Sequence, residues 1–480
     1  MRILQVVHTY VPESAGGTEI HTQQLVRDLR AHHDVAVLYR VFAPDRPDLE
    51  LSESSYEGTP VYRLVNNFTW SRGPLFDYFC PDAEPRFLQV LDRFQPDLVH
   101  FQHLGGGLST SFLTLAAERG LPTVFTLHDF WTLCSRSHLL TPDGQLCTGP
   151  EGGMRCIGCR PAPVYAPPVR QSWRSLRAEV GRWGWKRTLL RLPGYAMARL
   201  LRPWLEERAG AGSAELSLRA AYMARDRYFR ALLDRPDALL APSQFLRRTF
   251  EAWGLPPGRI RVVRNGVDAG DLTQPRVPGE GKLRLVFVGS ILAYKGLDVL
   301  VEAMQHLRDA PVELRIYGDD QATPEVAAYA ADLRRKAAGA GVRFMGPLPH
   351  EELGQALARA DALVLPSVLY ENCPLSILEA FSARVPVIAS NIGGMAELVH
   401  DGRNGLQFEV GNAQDLAAKI RRLAADPQLL HDIQRGIQRP ATTEQVSRTI
   451  ERIYQDVIDL KRQGRCGVDA QQAIARGEEE

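Results

Sequence analysis

Short apolar runs alternate along this chain with longer stretches in which apolar residues recur every three or four positions. The first pattern predicts buried strands and the second amphipathic helices, and their alternation predicts parallel sheets. Ile3 to Val7, Val35 to Tyr39, Leu98 to Phe101 and Val124 to Leu127 read as strands of a first series, with a helix over about Thr18 to Ala31. After a stretch of different character, 134–235, the series resumes with ALLAPS at 238–243 and RIRVVRNGV at 259–267. A second series starts afresh at Leu283, where LRLVFVGS, VELRIYG, VRFMG, ALVLPS and PVIAS are separated by helical patterns such as LDVLVEAMQHL. Residues 269–282, polar with Gly and Pro, read as a linker. The expected fold class is α/β, with two doubly wound Rossmann-like domains. The first spans 1–275 and carries a Cys-rich loop at 134–159 and a basic helical insertion at 160–235. The second spans 276–440. A terminal helix follows at 441–463, then a polar tail, 464–480, of the composition of a disordered segment. In open parallel sheets ligands sit outside the carboxyl ends of the strands, so two such domains are expected to offer loops to a central cleft.

Composition narrows the function classes. With 480 residues and 45% apolar content the chain can fill sizeable cores, and a formal net charge of +1 points to neither a nucleic-acid-binding protein nor an acidic tail protein. The opening MRILQVV is a strand rather than a leader, and no eighteen apolar residues run together, so a soluble cytoplasmic protein is expected. In that compartment the seven cysteines are expected as thiols or metal ligands.

The chemistry concentrates after strand ends. In YENCPLSILEA, Glu371 and Glu379 lie eight apart across a helix start at Pro374, with the free amides of Leu375 and Ser376 between them. Such an N-terminus attracts phosphate, and flanking carboxylates suit sugar hydroxyls; a solvated loop Glu and a surface helix Glu are the plainer alternative. Gly16-Gly17 opens the first helix after the first strand, and Gly393-Gly394 follows PVIAS in the same way; tight turns would need the same residues. His128-Asp129 ends TVFTL, as either a catalytic or a structural histidine. Lys295-Gly296 begins a helix, a position unfavourable for a cation unless it meets a diphosphate.

Taken together, the VGS…KG segment, ADALVLPS, the Glu371–Glu379 segment, SNIGGMAELV, APSQF and NGVD resemble the retaining glycosyltransferases of family 4, which have the two-domain GT-B fold. The resemblance covers nearly all of the chain outside 134–235. It implies an acceptor-binding first domain and a donor-binding second one, joined again by the terminal helix. It further implies that Glu379 binds the nucleotide ribose, that Glu371 sits beside the reacting sugar carbon, and that Lys295 binds the diphosphate. Gly393 and Gly394 would offer amides, Gly16 and Gly17 would close over the donor, and His128 would face the sugar. Where the family usually has Arg, this chain has Ser290; Arg264, in RNGVD, is the candidate substitute for the lost donors. The implied function is retaining transfer from a nucleotide-diphosphate sugar to a glycan, lipid-linked or small-molecule acceptor, in cell-surface polysaccharide or glycoconjugate synthesis. No Asp-x-Asp occurs, so no catalytic metal is expected. A sugar-nucleotide epimerase of the same fold, or an inactive zinc-bearing scaffold, remains open.

The interruption is where the chain is individual. Cys134, Cys147, Cys156 and Cys159 form C-x12-C-x8-C-x2-C, compatible with a structural zinc site, free thiols, an iron–sulfur cluster or a redox pair. From Arg160 to Arg230 there are 15 Arg or Lys against 5 Asp or Glu, interleaved with Trp173, Trp183, Trp185 and Trp204. Helices packed on the first domain with a solvated Arg face would give this pattern, and so would peripheral contact with the inner face of a membrane or an anionic lipid-linked acceptor.

Overall fold

The computed structural model describes residues 1–14, 16–67, 78–159, 211–268, 270, 272–277, 279 and 281–464, the side chains of 211–218 aside. Most of the basic insertion, including its four tryptophans, and the tail beyond 464 lie outside the described residues. The chain divides into two units. One comprises Met1–Pro242, Arg247–Val263 and the chain from Ser447 on; the other comprises Ser243–Leu246 and Arg264–Val446.

The N-terminal unit is built on strands β1 (Arg2–Val7), β2 (Asp34–Val41), β3 (Leu51–Tyr56), β4 (Thr59–Val65), β5 (Leu98–Phe101), β6 (Thr123–Thr126), β7 (Ala238–Ala241) and β8 (Ile260–Val262). They form one sheet in the order β3-β4-β2-β1-β5-β6-β7-β8, parallel throughout except for the antiparallel β3–β4 pair. That hairpin was not among the expected elements. Its turn, Glu57-Gly58, has φ of 48° and 77°, the left-handed pair of a two-residue hairpin whose twist matches the strands. β3 itself, LSESSY, is polar and has no buried residue, as suits an edge strand. The last helix, Thr443–Arg462, lays Tyr454 and Val457, both without exposure, against this unit.

The C-terminal unit has a wholly parallel sheet, β11-β10-β9-β12-β13-β14, from β9 (Leu283–Val288), β10 (Val312–Tyr317), β11 (Val342–Gly346), β12 (Ala362–Leu365), β13 (Val387–Ser390) and β14 (Gly405–Phe408). Five of these strands were expected; β14 was not. Four residues are too short for a periodic signal, and Gly405 is required there because a Cβ would lie 2.1 Å from the Val387 carbonyl. Within the stretch read as a linker, Leu272 is buried in the core of this unit and Arg276 donates to Asp361 at 3.0 Å, so these residues are anchored rather than free.

Candidate functional site

The C-terminal sheet brings three neighbouring strand ends together. After β9 the chain makes a tight turn over Ala293–Lys295, and Gly296 takes φ 71° before the helix Leu297–Gln305. A Cβ at Gly296 would sit 1.9 Å from the Pro366 carbonyl, so only glycine lets this turn pack against the end of β12. That approach places Lys295 Nζ 2.5 Å from Glu371 Oε1, which also accepts from the buried Ser367 Oγ at 2.9 Å. Pro374 is the N-cap rather than a first-turn residue, its ψ of 120° keeping it extended, so the helix runs Leu375–Ser382. Leu375 and Ser376 thus occupy its first turn, where N–H groups have no intrahelical acceptor. Glu379, one turn on, is partly buried, and burial pushes its carboxyl up to about 7.

Gly393 and Gly394 follow β13 at the start of the helix Gly393–Leu398. The Gly394 N–H donates to the Glu371 carbonyl at 2.7 Å, and a Cβ there would lie 1.7 Å from the Asn372 carbonyl. This glycine therefore serves close packing of the Glu371 loop, and its amide is engaged rather than offered outward. Ser290 is exposed at the end of β9. Arg264, its candidate substitute, pairs with Glu397 at 2.8 Å, and Glu397 also accepts from the Phe245 N–H at 2.8 Å. Phe245, from the APSQF segment, packs on Tyr370 with ring centroids 5.0 Å apart, so it braces the loop next to Glu371.

The carboxyl edge of the N-terminal sheet carries imidazoles. His128, after β6, is half-buried, its Nε2 2.8 Å from Gln102 Oε1 and its ring 5.2 Å from that of His21. Burial holds its pKa well below the usual histidine value, with the neighbouring His21, His103, His100 and His8 adding to the effect. Sequence reasoning missed Gln102, His8 and His103 here. His8 follows β1 and lies 3.3 Å from the buried Glu19; its ring contacts that of His103 with centroids 4.2 Å apart. His103 follows β5, accepts the Gly105 N–H at 3.1 Å on Nδ1, and turns Nε2 to Asp129 at 3.4 Å. A signal was present, since each residue lies within two positions of a predicted strand's carboxyl end. Gly16 caps the helix Gly17–Leu29; a Cβ on it would meet Glu19 Oε2 at 2.6 Å, whereas one on Gly17 would meet nothing within 4 Å.

No disulfide joins the four insertion cysteines. The others raise the pKa of Cys156, after burial, to about 12, so the four lie within electrostatic reach of one another. Arg136 ties the Cys134 turn to the Cys159 carbonyl at 3.1 Å. Among the described residues no three His, Cys, Asp or Glu side chains are arranged to hold a metal, so the geometry lends the zinc expectation no support. The basic segment is not all solvent-facing either: buried Arg225 donates to the carbonyls of Trp131 and Thr132 and stacks on Phe229 at 4.5 Å. Among the described residues no helix is long and apolar enough to cross a membrane.

Residues 15–155 and 203–271 match the model described as Glycosyltransferase Family 4, and residues 282–426 that described as Glycosyl transferases group 1. The chain is similar to alpha-maltose-1-phosphate synthase of Mycolicibacterium smegmatis, 32% identical over 47% of this chain and 62% of that protein. It is also similar to the amylovoran biosynthesis glycosyltransferase AmsK of Erwinia amylovora, 26% identical over 62% of this chain and 79% of the relative. The chain thus spans less than two thirds of the first relative's length. The Anabaena protein HepE, solved in complex with UDP, covers 95% of this chain and 100% of its own at a TM-score of 0.60 and 17% identity. Two doubly wound parallel sheets with this likeness are the GT-B fold of glycosyltransferases.

Proposed function

We propose that this chain, which carries both glycosyltransferase domains in a GT-B fold, is a retaining glycosyltransferase using a nucleotide-diphosphate sugar. The observation that carries the proposal is the juxtaposition of Lys295, Glu371 and Ser367 at adjacent strand ends, beside the helix N-terminus at Leu375 and Ser376. Cleavage of the bond from the anomeric carbon to the diphosphate develops positive charge on the sugar and negative charge on the leaving group, so stabilisation is electrostatic and positional. Lys295 and the Leu375 and Ser376 amides would take the leaving diphosphate. Glu371 would hold the transferred sugar and Glu379 the ribose hydroxyls. His128, with Gly16 and Gly17, would act on the sugar, and the acceptor would attack from the leaving-group face. The ion pair of Lys295 with Glu371 would open when phosphate replaces the carboxylate. The UDP complex of HepE supports a nucleoside-diphosphate donor, and the biosynthetic role in AmsK's name supports a place in polysaccharide synthesis, for which we propose a glycan or lipid-linked acceptor. The basic insertion, at the cytoplasmic face of a membrane, would suit such an acceptor. The four cysteines enter no step, and elemental analysis of protein purified without chelator decides between zinc and free thiols.

The test is a panel of UDP, ADP and GDP sugars. At least one should raise the melting temperature and be hydrolysed slowly, with the product keeping its anomeric configuration. No stabilisation by any member, or inverted product, would sink the proposal; conversion of the donor to its epimer without acceptor would favour the epimerase.

A further inference from the structure

A set of buried polar side chains runs from the C-terminal helix to His128, and no step above uses it. Gln5, His100, Gln102 and Tyr454 have no exposed surface, although they come from β1, β5, the residue just beyond β5 and the helix Thr443–Arg462. Buried polar groups of this kind persist only when satisfied, and a satisfied network specifies one arrangement. Here each link can be followed. Gln5 Nε2 donates to Tyr454 Oη at 3.0 Å, and Gln102 Nε2 donates to Gln5 Oε1 at 3.0 Å. Tyr454 Oη lies 2.6 Å from His100 Nδ1, and His100 Nε2 lies 2.7 Å from Thr126 Oγ1. With the Gln102 amide nitrogen committed to Gln5 and its second contact, His100 Nδ1 at 3.1 Å, its carbonyl oxygen is what faces His128 Nε2 at 2.8 Å. A carbonyl oxygen accepts only, so with the Gln102 amide in this orientation His128 carries its proton on Nε2.

We propose that Tyr454, Gln5 and Gln102 are positioning residues that set the tautomer of His128. The phenol links the two halves of the chain: with its oxygen accepting from Gln5 Nε2, its one proton goes to His100 Nδ1. That choice propagates through two amides to the imidazole. Inverting both amides together with His100 would satisfy the same contacts with His128 unprotonated on Nε2, and so the chain of hydrogen bonds has two discrete settings. The role assigned to these residues rests on the proposed activity of His128; the tautomer itself does not.

The experiment uses the full chain labelled with 15N at its twelve histidines, with two-bond proton–nitrogen spectra at pH 7.5 and the His128 signals assigned by their loss in His128→Gln. In the wild type, His128 should show a protonated Nε2 and an unprotonated Nδ1. The opposite pattern would overturn the proposal without any variant. Tyr454→Phe removes the linking hydroxyl at nearly constant volume, and should turn the His128 signals into a mixture of both tautomers. A folded Tyr454→Phe with the wild-type His128 pattern would also overturn it. With a donor found by the nucleotide-sugar panel, the same variant should lose about tenfold in kcat with a KM changed less than about twofold. A wild type that turns over no nucleotide sugar would overturn the functional proposal and leave the spectra standing.

Discussion

The two sheets present carboxyl edges of opposite character. The C-terminal edge is charged: Lys295 meets Glu371 and Arg264 meets Glu397, and glycines allow the loops to touch. The N-terminal edge is instead rich in uncharged imidazoles, set beside Glu19 and Asp129: burial holds His8, His21, His100 and His128 below the usual histidine pKa, His21 at about 4. The difference teaches where each edge would gain its selectivity. Fixed charges suit a diphosphate, whose own charge repays their desolvation, whereas neutral imidazoles and amides read hydroxyls by hydrogen-bond direction.

The comparison breaks most directly at Glu371. Glu371→Ala should cut turnover of the identified donor by about a thousandfold while leaving the melting temperature within a few degrees, because it removes one half of an ion pair that is partly exposed. Near-normal turnover in that variant would end the assignment of the C-terminal edge as the donor site. Next in size is Gly394→Ala, which drives a Cβ into the Asn372 carbonyl and should cost about 3 kcal/mol of stability, seen as a lower denaturant midpoint.

Glu379 sharpens the contrast through pH. Its folded pKa of about 7 lies above the ordinary 4.5, so the unfolded state ionises first. Its stabilising contribution is complete below pH 4.5 and is lost as pH rises to about 7. Ribose hydroxyls donate to an ionised carboxylate, so nucleotide affinity measured by calorimetry should rise severalfold from pH 6 to 8 in the wild type. In Glu379→Gln both dependences should flatten. A Glu379→Gln variant with the wild-type pH profile would remove the ribose role. The smallest effect is expected at the other edge. Gly17→Ala should alter stability by no more than about 0.5 kcal/mol, since its Cβ would meet nothing. Loss of donor turnover in that stable variant would show that the open space is kept for a ligand.

Much of this was legible in the residues. The strand ends carrying Lys295, Glu371, Gly393 and His128 were found because buried parallel strands are continuous apolar runs, and the residue after such a run lies at the edge where ligands bind. Glu57-Gly58 offered a hairpin signal that was passed over in a polar stretch. Arg264 shows the limit: its position in RNGVD suggested a substitute for the Arg replaced by Ser290, and only packing reveals Glu397 beside it. Gly394 was read as an amide donor for ligand when its neighbour across space is a backbone carbonyl.

By itself, then, the sequence determined the two α/β units, their parallel sheets and the residues that end each strand. Local periodicity and glycine chemistry encode those features over a few positions. Tertiary structure alone decided which side chains meet. Gln5 in an apolar strand announces only that a polar group is buried, and its partner Tyr454 lies 449 positions away. Hydrogen bonds between such residues have no period along the chain, because what brings them together is the closing of a sheet under its last helix.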